Sequence, residues 1–516
     1  MKSVHVIAAL GLLLSSTLSA QQPQMMTGEV FDPELYNSLP LKAKVSTRAI
    51  LPPKVNLEKY CPTPGNQGEY MTCAAWSSAY HFRTIIEAKQ RELTNREEID
   101  KIAYSPTWVY EILKQDGDDN CYNGLATAQS LIVFQQLGVP SISSLPFGCL
   151  PGPKEERFKL LDPMMQEASS AKIRDLQILF KHGDTIDPNE KIRSIKKVLA
   201  EGYPVLISHT LYNSFGRSKE VWHPEPGEEL ADEHGSHAMV IVGYDDHLHG
   251  GAFRYLNSWG PDWGDGGYLW VPYSVTGDLC YGAYQAYPFS KNAKPTPLPA
   301  PPVNVNPEPV APHIAPSPAP PAPVAPNTPA GSLDFVTRTG AEMPVSRIST
   351  RGLVVEDASP TGEKQMSAYR MVETYPAGTR FRFYMTTETE GYVYAFATDL
   401  TKKVTQIFPY EPGISPLVGS NSVIAFPADD KVIRMDEQPG TDYLLVLFSQ
   451  QALDLENVTA TMNGAEGGLT RKIESALGAA LIKQEEIDFQ PGKVSFVVRP
   501  EAEGMVVPVM IEINRQ

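Results

Sequence analysis

Residues 255–268 read YLNSWGPDWGDGGY, and they lie in a region where short apolar runs alternate with turn-forming residues. Glycine, aspartate and proline separate these runs, which are rich in the β-branched and aromatic residues that favour strands. The pattern predicts strands in four segments: PVLISH, HAMVIVGY, FRYLNSWG and GGYLWVPY, at 204–209, 237–244, 253–260 and 266–273.

Helices are predicted upstream of these strands. After Cys73, the segment AAWSSAYHFRTIIEAKQRE carries apolar residues at 75, 76, 79, 82, 85 and 86, which is helical spacing. A second amphipathic helix is predicted over 187–201 and is closed by Gly202. Because the helices come first and the strands later, the region is predicted to be α+β.

Three segments of this region resemble the signature segments of papain-like cysteine peptidases, in the same order. They are NQGEYMTCAAW at 66–76, SHAMVIVGYDD at 236–246 and YLNSWGPDWGDGGY at 255–268. The segment CYNGLATAQSLIVFQQLGV at 121–139 also resembles that family's cysteine–asparagine–glycine turn and the helix after it. The resemblance covers roughly residues 50–290 and implies a two-lobed fold, with a helical lobe and a β-barrel-like lobe.

The resemblance assigns a role to each of five residues. A cysteine attacks a peptide carbonyl as the thiolate, which a helix N-terminus and a nearby imidazolium favour. Cys73 would be the nucleophile and His237 its base, with Asn257 holding the imidazole ring. Gln67 and the Cys73 backbone N–H would form the oxyanion hole, and Trp259 would shield the Asn257–His237 hydrogen bond. No cofactor and no metal are expected.

Other histidines compete with His237 for the role of base. His209, His223 and His234 lie in the same stretch, and His234 with His237 also suggests a metal pair. A metal site needs three or four suitable ligands, and no further ligand motif accompanies these two. His237 is preferred because it directly precedes a strand-like run.

The sequence also departs from the family pattern. Tyr70 and Ala74 stand where the family signature has a cysteine and an aromatic residue. His237 and Asn257 lie 164 and 184 residues after Cys73, beyond the usual spacing. These departures indicate a divergent branch and affect substrate preference more than catalysis.

The five cysteines of the chain leave four for disulfides if Cys73 stays a thiol. The family often has a disulfide near its second helix, which implies a Cys121–Cys149 bond. A second bond between Cys61 and Cys280 would then connect the two ends of the peptidase region. Four cysteines allow three pairings, so this choice is a hypothesis.

Residues 295–329 contain 15 prolines in 35 positions, which predicts a semi-rigid tether without a packed core. We therefore expect a signal peptide at 1–20, a short leader at 21–50, the peptidase at 51–290, a proline-rich linker at 291–331 and an accessory domain at 332–516. Papain relatives usually carry a longer inhibitory propeptide, so control by such a domain is not expected from a leader of this length.

The accessory region is predicted to be mainly β, as a sandwich or barrel, with one helix in LTRKIESALGAALIK. Its segment GTRFRFYMTTETEGYVYAFATDLTKKVTQIFPY resembles a bacterial domain of uncharacterised function. The aromatic residues Tyr392, Tyr394, Phe396 and Phe408 are expected in its core. Binding of a protein or a surface ligand is the role expected for this domain.

The N-terminus and the charge constrain location and partners. Lys2, the apolar run 6–14 and the small residues up to Ala20 have the order of a secretory signal, which predicts export to the periplasm or beyond. The net charge of -16 argues against nucleic acid and anionic membrane as partners. No segment is expected to remain across a membrane, and the expected partner is a peptide or protein substrate.

The expected function is peptide-bond hydrolysis through a Cys–His–Asn thiolate mechanism with an acyl-enzyme. Two alternatives stay open: a catalytically inactive papain-like binding module, and a thiol acyltransferase of transglutaminase type. Retention of Cys73, His237, Asn257 and Gln67 argues against the first, and Asn257 in place of an aspartate argues against the second.

Overall fold

The structure, a computed structural model, describes residues 26–44, 46–229, 235–289, 328–348, 368–398, 403–428 and 431–516. The predicted signal peptide and residues 291–327 of the predicted linker lie outside these ranges. Within them, no helix is long and apolar enough to cross a bilayer.

The helices of the first region lie mainly between residues 73 and 169, before most of its strands. They are α1 (Pro33–Ser38), α2 (Cys73–Ala75), α3 (Thr84–Gln90), α4 (Arg96–Lys101), α5 (Pro106–Leu113), α6 (Thr127–Gln136), α7 (Lys154–Leu161), α8 (Met165–Ser169), α9 (Pro188–Ala200), α10 (Ser214–Arg217) and α11 (Tyr273–Leu279). A π-helical stretch, Trp76–Arg83, joins α2 to α3, so one helix runs from Cys73 to Gln90. Both helices predicted from periodicity are present.

Seven strands form the sheet of the first region. They are β1 (Lys54–Asn56), β2 (Ile173–Ile178), β3 (Val205–Thr210), β4 (Ser236–Asp245), β5 (Ala252–Leu256), β6 (Tyr268–Pro272) and β7 (Cys280–Pro288). The order is β2-β7-β3-β4-β5-β6, with β1 paired to β4. The four strands predicted from sequence are β3 to β6, and every pairing in this sheet is antiparallel.

The second region is a sandwich of two sheets with a core between them, as predicted. Its elements are β8 (Ala330–Thr337), β9 (Val345–Arg347), β10 (Ala368–Met371), β11 (Arg380–Thr387), β12 (Gly391–Thr398), β13 (Val404–Phe408), β14 (Leu417–Val418), β15 (Ser422–Phe426), β16 (Ile433–Arg434), β17 (Gly440–Ser449), α12 (Leu455–Gly464), α13 (Leu469–Leu477), β18 (Ile487–Phe489), β19 (Val494–Val498) and β20 (Val506–Arg515). Strand β8 begins at Ala330, inside the predicted linker 291–331. Helix α12 was not predicted.

The cysteines pair only in part as expected. Cys121 and Cys149 are joined by a disulfide, whereas Cys61 and Cys280 are free and buried. The predicted Cys61–Cys280 bond is wrong, because Cys61 lies beside Tyr268 of β6 while Cys280 begins β7. In the sheet, β3, β4 and β5 separate those two strands, a distance of about 19 Å at the usual strand spacing. A disulfide needs Cα atoms within about 7 Å.

The two regions pack against each other, although the proline-rich segment between them was predicted only as a tether without a packed core. Around the β2 edge, Arg174 bonds Glu390 at 2.6 Å and the Tyr392 hydroxyl donates to Asp175 at 2.6 Å. Tyr287 shares an apolar cluster with residues of the sandwich, among them Tyr392, Tyr394 and Phe396. All four aromatic residues predicted for the core are buried. Phe408 lies in the core between the two sheets, whereas Tyr392, Tyr394 and Phe396 lie in the separate cluster with Tyr287.

A buried charge lies at the centre of this interface. Both carboxylate oxygens of Glu201 are bonded: Oε2 to Lys42 at 3.1 Å and Oε1 to the Ser422 hydroxyl at 3.1 Å. Lys197 lies 3.5 Å from Oε1 and donates to the Asn421 carbonyl at 2.7 Å. The side chains of Glu201, Lys42 and Lys197 are 0%, 7% and 3% exposed. Removing this carboxylate would leave the buried ammonium groups of Lys42 and Lys197 without their negative partner.

We therefore expect Glu201→Ala to weaken the association of the two regions by about 3–5 kcal/mol, the usual cost of breaking a buried ion pair. The measurement uses the full chain with a protease site engineered within residues 291–327. After cleavage, the fragments of the unmutated chain should elute together in size-exclusion chromatography, and those of Glu201→Ala should separate on dilution.

The matched control is Glu411→Ala, which removes an ion pair with Lys431 whose side chains are 58% and 50% exposed. Exposed pairs contribute less than about 1 kcal/mol, so its fragments should stay together. Separation of the unmutated fragments at micromolar concentration would contradict the docked arrangement.

Candidate active site

The thiol of Cys73 lies at the beginning of a helix, as predicted. Cys73 is the first residue of α2, and it is fully buried in the described structure. The Ala238 backbone N–H donates to Cys73 Sγ at 3.5 Å. The thiol therefore lies beside the β4 backbone next to His237, where the helix N-terminus stabilises a negative charge.

The imidazole of His237 is held by Asn257. His237 lies in β4, and Asn257 directly follows β5, two strands that pair with each other. His237 Nε2 and Asn257 Oδ1 are 2.7 Å apart, and both residues are fully buried. The ring of Trp259 lies 4.9 Å from the His237 ring, centroid to centroid. The structure thus brings His237, Asn257 and Trp259 together as the resemblance implied.

Gln67 is positioned by the loop after β5. Its backbone N–H donates to the Ser258 carbonyl at 2.8 Å, and the Ser258 hydroxyl donates to Gln67 Oε1 at 2.7 Å. Asn66 also forms a β-bridge with Trp259. With its oxygen held in this way, Gln67 presents the amide nitrogen Nε2 as the donor. Sequence reasoning missed Ser258, although it lies between two residues that the resemblance named.

The disulfide loop forms a further wall of the site. The Met71 N–H donates to the Cys121 carbonyl at 2.9 Å, which connects this loop to the segment before Cys73. Cys121 has a left-handed backbone, with φ of 55°. The loop leads through Gly124 to Leu125 and then to α6, which is in contact with α2, the helix that begins at Cys73.

Residues of the leader lie in this site. Gln67 Nε2 donates to the carbonyls of Met26, at 3.1 Å, and Thr27, at 3.0 Å. Trp259 Nε1 donates to the Met26 carbonyl at 2.8 Å. We name residues 26–31 the cleft segment. Its carbonyls occupy the amide donor that the resemblance assigns to an oxyanion.

The cleft segment also pairs with the disulfide loop as a short β-bridge. The Leu125 N–H donates to the Gly28 carbonyl at 3.0 Å, and the Val30 N–H donates to the Leu125 carbonyl at 2.9 Å. Glycines permit this approach: a Cβ at Gly124 would lie 2.5 Å from the Gly28 oxygen. A Cβ at Gly28, where φ is 118°, would lie 2.2 Å from the Met71 oxygen. The backbone of the cleft segment is therefore bound as a peptide would be.

This position was not expected from sequence, where the leader was judged too short to act as an inhibitory propeptide domain. No periodicity or charge pattern in residues 26–31 distinguishes them from an ordinary loop. The contacts of this segment are with side chains and main-chain groups of residues far along the chain, which a single sequence does not reveal.

The competing histidines lie in other surroundings. His209 pairs with His237 across β3 and β4, but its Nδ1 lies 2.7 Å from the Thr210 carbonyl, and its ring packs on Trp222 and Tyr255. Burial lowers the pKa of His209 to about 4, which keeps the ring neutral near pH 7. His223 is exposed, and His234 lies outside the described residues.

Comparison with known proteins matches two parts of the chain to known families. Residues 61–287 match the family model described as papain family cysteine protease, and residues 374–452 match a domain of unknown function, DUF4384. The second match lies in the region for which a bacterial domain of uncharacterised function was predicted.

Curated relatives share parts of the peptidase region. An uncharacterized peptidase C1-like protein of Acanthamoeba polyphaga mimivirus is 31% identical over 128 residues, 24% of this chain and 40% of that protein. Vignain of Vigna mungo is 24% identical over 207 residues, 40% of this chain and 49% of that protein. The chain spans less than half the length of these two relatives.

Among solved structures, xylellain, a cysteine protease from Xylella fastidiosa, is similar at 22% identity and a TM-score of 0.41, covering 52% of this chain and 98% of that one. ProCathepsin B S9 from Trypanosoma congolense is similar at 17% identity and a TM-score of 0.39, covering 51% of this chain and 87% of that one. The family model that matches residues 61–287 identifies that part of the chain as a papain family cysteine protease domain.

Proposed function

We propose that the chain is an exported cysteine peptidase that hydrolyses peptide bonds with Cys73 as nucleophile. The observation that carries the proposal is the arrangement of three buried groups. The Cys73 thiol lies at a helix N-terminus, 3.5 Å from the N–H of Ala238, and the neighbouring His237 ring is held 2.7 Å from Asn257. This is the constellation expected of an activated thiolate and its base.

The first half of the reaction forms an acyl-enzyme. Because Nε2 of His237 is engaged by Asn257, proton exchange with the thiol takes place at Nδ1. The thiolate attacks the peptide carbonyl carbon, and the oxygen becomes an oxyanion that accepts from Gln67 Nε2 and the Cys73 N–H. The C–N bond then breaks, and the His237 imidazolium gives its proton to the leaving amine.

The second half releases the acid. Water replaces the amine, His237 takes a proton from it, and the resulting hydroxide attacks the thioester carbonyl. Collapse of the second tetrahedral intermediate breaks the C–S bond and restores the Cys73 thiolate. Asn257 keeps the ring aligned through both steps, and Trp259 covers one side of it.

The arrangement described here is a closed form of the enzyme. The carbonyls of Met26 and Thr27 take the Gln67 amide donor that the oxyanion requires. A substrate therefore binds only after the cleft segment has left. Export is supported by the sequence of residues 1–20 and by the Cys121–Cys149 disulfide, a bond typical of oxidising compartments.

Reaction with a thiol-directed epoxide tests the proposal. We expect the reagent to label Cys73 and to abolish peptide hydrolysis in proportion, as followed by peptide mapping and a fluorogenic assay. Cys61 and Cys280 are internal controls within the same chain, because burial raises the pKa of each thiol to about 12 and leaves it protonated.

Two results would contradict the proposal. One is labelling of Cys61 or Cys280 with loss of activity while Cys73 stays unmodified. The other is full hydrolysis in Cys73→Ala. Transfer of the acyl group to an added amine, with little hydrolysis, would instead indicate the acyltransferase.

A further inference from the structure

The side chain of Glu29 lies in a pocket beside the catalytic groups. Its backbone neighbours Gly28 and Val30 are bonded to Leu125, which fixes the direction of the Glu29 side chain. Glu29 itself is only 3% exposed. A carboxylate is rarely buried to this extent unless the surrounding groups pair with it or form hydrogen bonds with it. The contacts of Glu29 therefore indicate which kind of side chain the pocket can bind.

Hydroxyl groups line this pocket. Glu29 Oε1 accepts from the Ser208 hydroxyl at 2.8 Å, and Oε2 accepts from the Thr127 hydroxyl. The phenols of Tyr281 and Tyr284 are near the same carboxylate: their pKa values are raised by burial and, next in size, by the charge of Glu29. The hydroxyls come from three elements, α6, β3 and β7.

The pocket adjoins the thiol. Ser208 of β3 pairs with Ala238 of β4 on one side and with Gly282 of β7 on the other. The Ala238 N–H is the group that donates to Cys73 Sγ. One residue pair of the sheet thus connects the floor of the pocket to the nucleophile, so a substrate bound at Cys73 would place a side chain in the pocket.

Among the described residues, no positively charged group contributes to holding Glu29. Burial raises its pKa from 4.5 to about 7, and only the hydrogen bonds with Thr127 and Ser208 oppose this. The titratable groups facing the pocket are Tyr281 and Tyr284 of β7, with Cys73 of α2 and His237 of β4 nearby. A neutral carboxyl or carboxamide fits such a lining better than a carboxylate.

We propose that this hydroxyl-lined pocket is the side-chain specificity pocket of the peptidase and that it selects glutamate or glutamine in the substrate. The proposal rests on the proposed peptidase function. Both side chains reach as far as that of Glu29 and offer a carbonyl oxygen to Ser208 and Thr127. An apolar side chain would leave those buried hydroxyls without a partner, and lysine would bring a charge without a counter-ion.

The first test uses the full chain and does not require catalysis. The rate at which the epoxide labels Cys73 reports how often the cleft segment leaves the site. At about pH 4.5, where the Glu29 carboxyl is still largely neutral in the closed form, Glu29→Gln should keep the rate within about threefold of the unmutated chain. Glu29→Leu and Glu29→Lys should raise it by about tenfold or more, since each leaves buried hydroxyls unbonded. Equal rates in the Gln, Leu and Lys variants would overturn the proposal.

The pH dependence has a defined sign. The pKa of the Glu29 carboxyl is raised in the pocket, so closure is strongest below about pH 4.5 and weakens as pH rises to about 7. The ionisation of Cys73 affects both chains equally. Dividing the labelling rate of the unmutated chain by that of Glu29→Gln therefore cancels its effect. This ratio should rise through that window, and a ratio that falls or stays constant would count against the pocket.

The second test addresses substrates directly. The full chain is cut at a protease site inserted between Phe31 and Asp32, and a peptide library varied at each position is then hydrolysed. We expect glutamine and glutamate to be preferred at one position, with glutamate losing to glutamine as pH rises towards 8. In Ser208→Ala and Thr127→Val, the ratio of rates for glutamine over methionine at that position should fall about tenfold.

The outcomes of the two tests separate the proposals. Hydrolysis with a preference for apolar or basic side chains would overturn the proposed selectivity of the pocket but would support the peptidase function. No hydrolysis of any peptide, together with the expected order of labelling rates, would overturn the peptidase function and keep a glutamate-binding pocket in an inactive module. A glutamine preference that is unchanged in both variants would place specificity elsewhere.

Discussion

His237→Ala is expected to lower kcat/KM for peptide hydrolysis on the order of 10³-fold or more, because the variant has no group to exchange a proton with Cys73 or with the leaving amine. Asn257→Ala should cost less, about 10²-fold, since the imidazole remains but loses the 2.7 Å contact that orients it. Steady-state kinetics on one fluorogenic peptide would measure both.

The control is His223→Ala, because His223 lies in the same stretch of sequence but is exposed. This variant should keep the rate of the unmutated chain. Thermal melting of all three variants would show whether they fold equally well. Full activity in His237→Ala with loss in His223→Ala would transfer the role of base and contradict the site described here.

Removal of the cleft segment is expected to raise hydrolysis on the order of 10²-fold. Cutting the folded chain between Phe31 and Asp32 leaves Asp32 in place, where its side chain accepts from the Leu35 N–H and caps α1. The released peptide is then held in the cleft only as a separate molecule, by Gln67, Trp259 and Leu125 and by the Ser208 and Thr127 hydroxyls that bond Glu29. Each lost hydrogen bond contributes about 1 kcal/mol, so loss of two or three accounts for the expected rise.

A substitution provides an independent route to the same open form. Gly28→Ala in the uncut chain forces a Cβ to within 2.2 Å of the Met71 oxygen at a φ of 118°, so the cleft segment should leave and activity should rise. Gly340→Ala is the matched control: φ is 89° there, and a Cβ would meet nothing within 4 Å. An unchanged rate after complete cleavage and release of the peptide would show that the segment does not limit access.

Much of the peptidase region could be predicted because its signals are local. The spacing of apolar residues after Cys73 predicted the helix that begins there, and alternation with turn residues predicted β3 to β6. The motif residues Gln67, Cys73, His237 and Asn257 are recognisable within short segments, so their meeting in one site could be expected. The Cys121–Cys149 bond followed from the resemblance of its neighbourhood.

The errors concern groups that are far apart along the chain. Cys61 and Cys280 lie near the two ends of the domain in sequence. In the sheet, three strands lie between β6, which is beside Cys61, and β7, which begins at Cys280. This separation is set by the strand order alone. The proline-rich composition of 295–329 predicted a tether, and a tether does not tell whether the regions that it joins are in contact. Glu201, Lys42 and Ser422 nevertheless meet in a buried network that joins the regions.

By itself, the sequence determined the α+β class, the thiol at a helix N-terminus, the histidine and asparagine that accompany it, and the presence of a second β-rich region. These follow from residue type and short-range spacing, which the backbone geometry of helices and strands translates directly into structure. The tertiary structure alone decided which strands are neighbours, that residues 26–31 occupy the cleft, and that Ser208, Thr127, Tyr281 and Tyr284 surround Glu29. Those contacts join residues that are roughly 100 or more positions apart, and only the packing of the whole chain brings such residues together.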